Sequence, residues 1–195
     1  MTRPLVALAA FVTLAVLVAT RGLAAMDRAL LDAVQGPHAT WLDIAASVVT
    51  LFGQTELIGT IALAVGIAWW RHGRAGWWLP VGLAVTIAVE TIFKQTLPQP
   101  APPSDLSRGI ELLPFIRPAT AYSFPSGHVA RVAFLVTALR WPTPLAAAGI
   151  AVMALASVYL ANHWPTDVLG GWLLGYITGA LIGRRATSMP STPGR

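Results

Sequence analysis

Long apolar runs alternate with short polar breaks along this chain, and the runs have the length of helices rather than strands. Leu5 to Thr20, closed by Arg21, reads as a first membrane span. A signal peptide is the alternative, with Ala24-Ala25 just beyond it, but the later segments read as a polytopic protein and favour a retained span. In Met26 to Gly53, Asp27, Arg28, Asp32 and Asp43 punctuate Leu30, Leu31, Val34, Trp41, Leu42 and Ile44 at helical intervals, which predicts an amphipathic helix region at the interface. Leu57 to Trp70, begun near Gln54, and Trp77 to about Thr96 are the second and third spans. Pro125 to Trp141, Leu145 to Ala161 and Pro165 to Ile182 follow as the fourth, fifth and sixth. Between the third and fourth, Leu97 to Phe124 carries prolines at 98, 100, 102, 103, 114 and 118, too many for a continuous helix, and is read as an ordered loop over a site entrance. The expected fold is all-α: a polytopic membrane protein with six transmembrane helices, an interfacial amphipathic region and a Pro-rich extracytoplasmic loop. Residues 1–185 form one membrane-embedded domain, and 186–195 are expected to be a disordered tail.

Composition supports a lipid solvent: of 195 residues 55% are hydrophobic and 11% charged, against about 25% charged in soluble domains. The net charge of +5 does not indicate nucleic acid, because basic residues stand singly or in pairs between apolar runs. Trp69, Trp70, Trp77 and Trp78 flank Arg71 and Arg74, as at a membrane interface. With the N-terminus inside, Arg3, Arg71, Arg74, Arg140, Arg184 and Arg185 fall on the cytoplasmic side, while Arg28, Arg108 and Arg117 fall outside. That choice puts Lys94, His128, His163 and Asp167 together on the non-cytoplasmic face.

These residues carry the candidate chemistry. In Y-S-F-P-S-G-H-V-A-R, Tyr122 to Arg131, a predicted helix begins just after Pro125. Its free N–H groups and positive dipole end suit an anion, Gly127 admits close backbone approach, and Ser126 is either a cap or an oxyanion ligand. His128 stands where an imidazole can give a proton to a leaving oxygen. In N-H-W-P-T-D, Asn162 to Asp167, the carboxylate lies four residues after His163 and can orient one ring nitrogen while the other attacks. The plain alternative is that Ser126 is only a cap, Asp167 only a first-turn carboxylate and both histidines interfacial. Glu90 and Lys94 share a helix face and read either as site residues or as a structural ion pair.

Together, Lys94, Pro125-Ser126-Gly127-His128 and V-Y-L-A-N-H-W-P-T-D-V-L-G-G, Val158 to Gly171, resemble the type 2 phosphatidic acid phosphatase family, the membrane relatives of bacterial acid phosphatases and vanadium haloperoxidases. The family has a Lys with Arg-Pro seven residues on, then P-S-G-H, then Ser-Arg ahead of a His and an Asp. Here Pro102 is kept, but Ala101 stands at the first motif Arg and Ala156-Ser157 at the Ser-Arg pair. Two guanidiniums at roughly 1.5–3 kcal/mol each would cost about two to four powers of ten in phosphate binding if nothing compensates. Arg131, one turn beyond His128, is the first candidate to compensate, with Arg117 and Arg108 of the Pro-rich loop next.

The resemblance implies a lipid phosphate or diphosphate phosphatase of the bacterial plasma membrane, its site facing out of the cytoplasm. His163 would be the nucleophile, Asp167 its orienter, and His128 the acid and base. Lys94, Ser126 and Gly127 would bind the phosphoryl oxygens. No metal, cofactor or nucleic acid is implied, and a homo-oligomer is left open. A lipid phosphotransferase, or a weakened relative that binds a headgroup or partner, is the alternative.

Overall fold

The computed structural model of the chain describes residues 2–36, 38–113 and 120–188, and every regular element among them is helical. In order these are α1 Thr2–Ala19, α2 Ala24–Gln35, α3 Thr40–Leu51, α4 Thr55–Arg71, α5 Trp78–Thr96, α6 Gly127–Ala138, α7 Thr143–Tyr159 and α8 Pro165–Ser188. One 3-10 turn, Ser104–Leu106, lies in the Pro-rich segment. The amphipathic region is two helices, not one. α2 ends at Gln35; Gly36 is still helical in φ and ψ, but the residue after it in sequence is a proline, which has no N–H to continue the ladder. It leaves α1 at 96°, and α3 meets α4 at 41°. α8 runs on to Ser188, so residues 186–188, expected in the tail, are helical, while 189–195 lie outside the described residues.

Among the described residues no single helix is both long and apolar enough to cross a bilayer, although the α1–α2 and α3–α4 pairs reach that length and composition. α6 has only 12 residues, about 18 Å. Six crossings are therefore a proposal, carried by the outer surface rather than by helix length. Leu5, Val12 and Val16 on α1, Leu63 on α4, Ile92 on α5, Leu155 on α7 and Leu181 on α8 are all exposed. A soluble monomer rarely shows so much apolar area.

α6 is the axis of the bundle: Val129, Ala130, Ala133 and Phe134 are wholly buried. α8 lies against it along Gly171, Gly175, Gly179 and Gly183, which share one face at a spacing of four. A Cβ at Gly179 would stand 2.7 Å from the Phe134 carbonyl oxygen, and at Gly171 and Gly175 it would overlap the carbonyls of Ser126 and Ala130. Hydrogen side chains let the two backbones touch. α5 joins the pair through the Thr86 and Thr178 hydroxyls, 2.8 Å apart. The rings of Phe11, Phe93 and Phe124, with centroids 5.1 to 6.0 Å apart, fasten α1 and α5 to the segment entering α6.

The Pro-rich segment is a strap over the end of the bundle where α5 and α7 finish and α6 and α8 begin. Its backbone is tied by Arg108 N–H to the Leu160 carbonyl (3.3 Å), Ile110 N–H to Ser47 Oγ (3.0 Å) and Tyr122 N–H to the Lys94 carbonyl (3.0 Å). Gln35, at the end of α2, donates to the carbonyls of Leu106 (3.0 Å) and Tyr159 (2.8 Å), which locks α2, strap and α7 together.

Gly175→Val should force α6 and α8 apart and lower the unfolding free energy by about 1–3 kcal/mol or more. Gly149→Ala on α7, where nothing lies within 4 Å of the added carbon, should stay within about 1 kcal/mol of wild type. Thermal unfolding of the two variants in detergent checks the contrast.

Candidate active site

The two helix starts carry the chemistry. α6 is entered through a cis Phe124–Pro125 peptide, with Ser126 at its N-cap. The Ser126 side chain makes no cap bond, and its buried Oγ has no hydrogen-bond partner among the described residues, so Ser126 does not cap α6 through its side chain. The first intrahelical bond runs from Ala130 N–H to the Ser126 carbonyl at 3.0 Å. The N–H groups of Gly127, His128 and Val129 therefore precede the ladder, as an anion site at a helix start requires.

α8 begins at Pro165, whose missing N–H costs nothing in the first turn. Asp167 Oδ2 accepts the Trp164 N–H at 2.9 Å, the reach-back half of a capping box. The same oxygen is 3.5 Å from His163 Nδ1, within ion-pair range but longer than a formed hydrogen bond. Asp167 is thus both a first-turn carboxylate and the neighbour of the ring. The Ser126 N–H donates to the Asp167 carbonyl at 2.8 Å, so the two helix starts are tied directly. The rings of His128 and His163 face one cavity with centroids 6.4 Å apart and planes at 62°.

That cavity, about 380 Å³, is lined by both histidines, by Asn162 and Leu160 before α8, and by Ser107, Gly109, Ile110 and Glu111 of the strap. Ser47 and Thr50 of α3 and Gln54 at the α3–α4 junction complete it. Sequence reasoning missed these polar residues, because no spacing connects α3 to the histidines; only the fold does. Gly53 makes the approach possible: a Cβ there would lie 2.8 Å from that of His128.

Among the described residues no Lys or Arg side chain is in that lining. Arg131, expected to hold phosphate, instead gives Nη1 to Glu90 Oε2 and Nε to the Gly53 carbonyl, both at 2.9 Å. Glu90 also holds Lys94 at 3.2 Å, so the paired reading of Glu90 and Lys94 is the geometry observed. The cluster nevertheless sits directly under the P-S-G-H turn. A Cβ on Gly127 would overlap Glu90 Oε1 and lie 2.6 Å from Arg131 Nη1. At the motif positions that lack Arg, Ala101 is exposed, and buried Ser157 donates back to the Met153 carbonyl at 2.8 Å. Arg108 places its guanidinium over the Tyr159 ring at 5.2 Å, and Arg117 lies outside the described residues.

Burial pushes the His163 pKa below the ordinary imidazole value; Asp167 opposes this, the Lys94 charge adds to it, and Glu90 opposes it weakly. An imidazole with its pKa lowered from that value is mostly neutral at pH 7. Among the described residues no three or more His, Cys, Asp or Glu side chains are grouped to hold a metal.

A family model, the PAP2 superfamily, matches residues 75–187. Over 110 residues the chain is 31% identical to the undecaprenyl-diphosphatase of Sulfolobus acidocaldarius, covering 54% of this chain and 52% of that protein. Over 135 residues it is 30% identical to the putative undecaprenyl-diphosphatase YbjG of Escherichia coli, covering 65% of this chain and 67% of that one. The match thus spans about half the length of the first relative and two thirds of the second. The fold matches the crystal structure of a transmembrane PAP2 type phosphatidylglycerolphosphate phosphatase from Bacillus subtilis with a TM-score of 0.77 at 20% identity, over 93% of this chain and 94% of that one.

Glu90→Ala leaves the buried Arg131 and the partly buried Lys94 facing one another and should cost about 3–5 kcal/mol of stability. Arg131→Met added to it should restore part of that loss, because the pair is coupled. Unfolding of the single and double variants measures the coupling.

Proposed function

Because the chain belongs to the PAP2 superfamily, we propose that it is an integral membrane lipid phosphatase that cleaves a polyprenyl diphosphate through a phosphohistidine on His163. The observation that carries this reading is the pair of imidazoles from separate helices across one polar cavity, one of them backed by a buried carboxylate. The names of the two relatives favour a diphosphate of undecaprenol over the other lipid phosphates. The exposed apolar belt favours a bilayer around the helices, with the strap and both histidines at the outer face of a bacterial plasma membrane.

The chemistry follows from the geometry. Asp167 faces Nδ1 of His163 and holds the proton there, which leaves Nε2 to attack phosphorus. As the nitrogen–phosphorus bond forms, the bond from phosphorus to the lipid phosphate oxygen breaks, and His128 gives that oxygen a proton. A water then attacks the phosphohistidine, His128 takes the water proton, and inorganic phosphate leaves with His163 restored. Ser126 Oγ and the N–H groups of the first α6 turn receive the developing charge, while Lys94 and Arg131 act from one layer behind, through Glu90. Gln54, Asn162, Ser47 and Thr50 offer neutral hydrogen bonds to the phosphoryl oxygens in place of the guanidiniums that the motif positions lack. Those bonds are individually weaker, so turnover is expected to be slow.

Purified protein in detergent, given undecaprenyl diphosphate labelled at the terminal phosphate, should release free phosphate and carry an acid-labile label on His163. His163→Ala should abolish both, and Asp167→Asn should lower kcat by about 10²–10⁴-fold. Label passed to an alcohol acceptor would mark a transferase, and neither free phosphate nor labelled protein would mark a binder; both outcomes overturn the phosphatase reading. With its pKa lowered, His163 loses activity only once pH falls through that depressed value. The acid limb of the rate profile should therefore lie below about 6.5.

A further inference from the structure

Asp167 has a second oxygen, and it leads to a buried network that the mechanism above does not use. Asp27, in the first turn of α2, is only 3% exposed. Its Oδ1 accepts the Thr166 N–H at 2.9 Å, and its Oδ2 accepts the Thr166 hydroxyl at 2.6 Å. Gln99 of the strap, its carbonyl held by the Ser123 N–H at 2.9 Å, points Nε2 into the same place. That nitrogen is 3.1 Å from Thr166 Oγ1 and 3.4 Å from both Asp27 Oδ2 and Asp167 Oδ1.

We propose that Asp27 is a positioning residue for phosphoryl transfer: through Thr166 and Gln99 it fixes the Asp167 carboxylate, and with it the His163 ring. The role rests on the phosphatase reading. The argument is one of hydrogen-bond polarity. Ionised, Asp27 has no proton to give, so the Thr166 hydroxyl donates to it and can only accept from Gln99. The Gln99 amide stands between two carboxylates, which fixes its nitrogen, not its oxygen, toward Asp167. Asp167 Oδ1 is thereby engaged, and Oδ2 is left for the Trp164 N–H and the His163 ring. Outer partners of this kind orient the groups that do the chemistry, and their loss commonly costs 10–100-fold.

The bland account makes Asp27 a remote cap for α8, needed only for stability. Asn distinguishes the two. It keeps an oxygen for the Thr166 N–H but puts a donor against the Thr166 hydroxyl, which breaks the polarity of the chain. Asp27 is outside the segment that the family model matches, so family membership assigns it nothing. The charged groups around it are Asp167 of α8 and Arg21, which lines the same small cavity of about 190 Å³, while on its own helix Arg28 pairs with Asp32 at 2.9 Å.

The full chain in detergent is compared as wild type, Asp27→Asn and Thr166→Val by thermal unfolding and by kcat and KM on undecaprenyl diphosphate. The pH dependence of His163 modification by diethyl pyrocarbonate, mapped by mass spectrometry, is a third readout. Both variants should stay folded, keep KM within about 3-fold and lose about 10–100-fold in kcat. In Asp27→Asn the His163 profile should move to lower pH, because the Asp167 carboxylate, which favours the imidazolium, is no longer held against the ring. Folded variants with wild-type kcat and an unmoved His163 profile would sink the proposal. If Asp27→Asn does not fold, Thr166→Val, which keeps the backbone cap, decides by the same kcat criterion. If the wild type hydrolyses no lipid phosphate, the phosphatase reading fails instead. The modification profile needs no substrate, so a shift in it still supports the Asp27 link and no shift still refutes it.

Discussion

Two helices whose backbones touch set the geometry of everything else. With only hydrogen at Gly171, Gly175, Gly179 and Gly183, α8 approaches the α6 main chain as near as sterics allow, and the Ser126 N–H to Asp167 carbonyl bond fixes their register at the end that matters. His128 is the second residue of α6, and His163 stands just ahead of α8. A shift of α8 by one turn, about 5.4 Å, would separate the rings beyond any shared ligand. The glycine stripe is therefore as much a part of the site as the histidines.

Around that axis the remaining elements divide the work. The strap and α3 close the cavity from above with neutral polar groups, and Gly53 lets the α3–α4 junction lie on His128. Beneath it, Glu90 gathers Lys94 and Arg131 under Gly127. α2, although remote in sequence, caps α8 from the side through Asp27. Cavity wall, charge cluster and cap all converge on two helix starts, and each is built from a different stretch of chain.

Much of this was legible in the sequence, for local reasons. Pro125-Ser126-Gly127-His128 announces a helix start by its turn chemistry, and Pro165 with Asp167 announces another, so both helix starts, with the residues proposed to be catalytic, could be read directly. The all-helical class followed from run length. What was not legible depends on pairs far apart in the chain. Arg131 looked free to reach phosphate because its helical position is right, but Glu90, 41 positions earlier, takes it. Asp27 looked like one charge among several on an amphipathic face, and only folding brings Thr166 to it, 139 positions away. The bends at 96° and 41° went unread because hydropathy records length and not direction.

The Lys94–Glu90–Arg131 cluster has a consequence for what happens after chemistry. Two cations and one carboxylate leave a single surplus positive charge beneath the turn, too little to neutralise a phosphate dianion. On the proposed phosphatase reading, a site of that kind would grip its inorganic product loosely and empty quickly. Working where free phosphate is plentiful, such a protein would give up ground-state affinity and in exchange escape being clogged by the ion it makes.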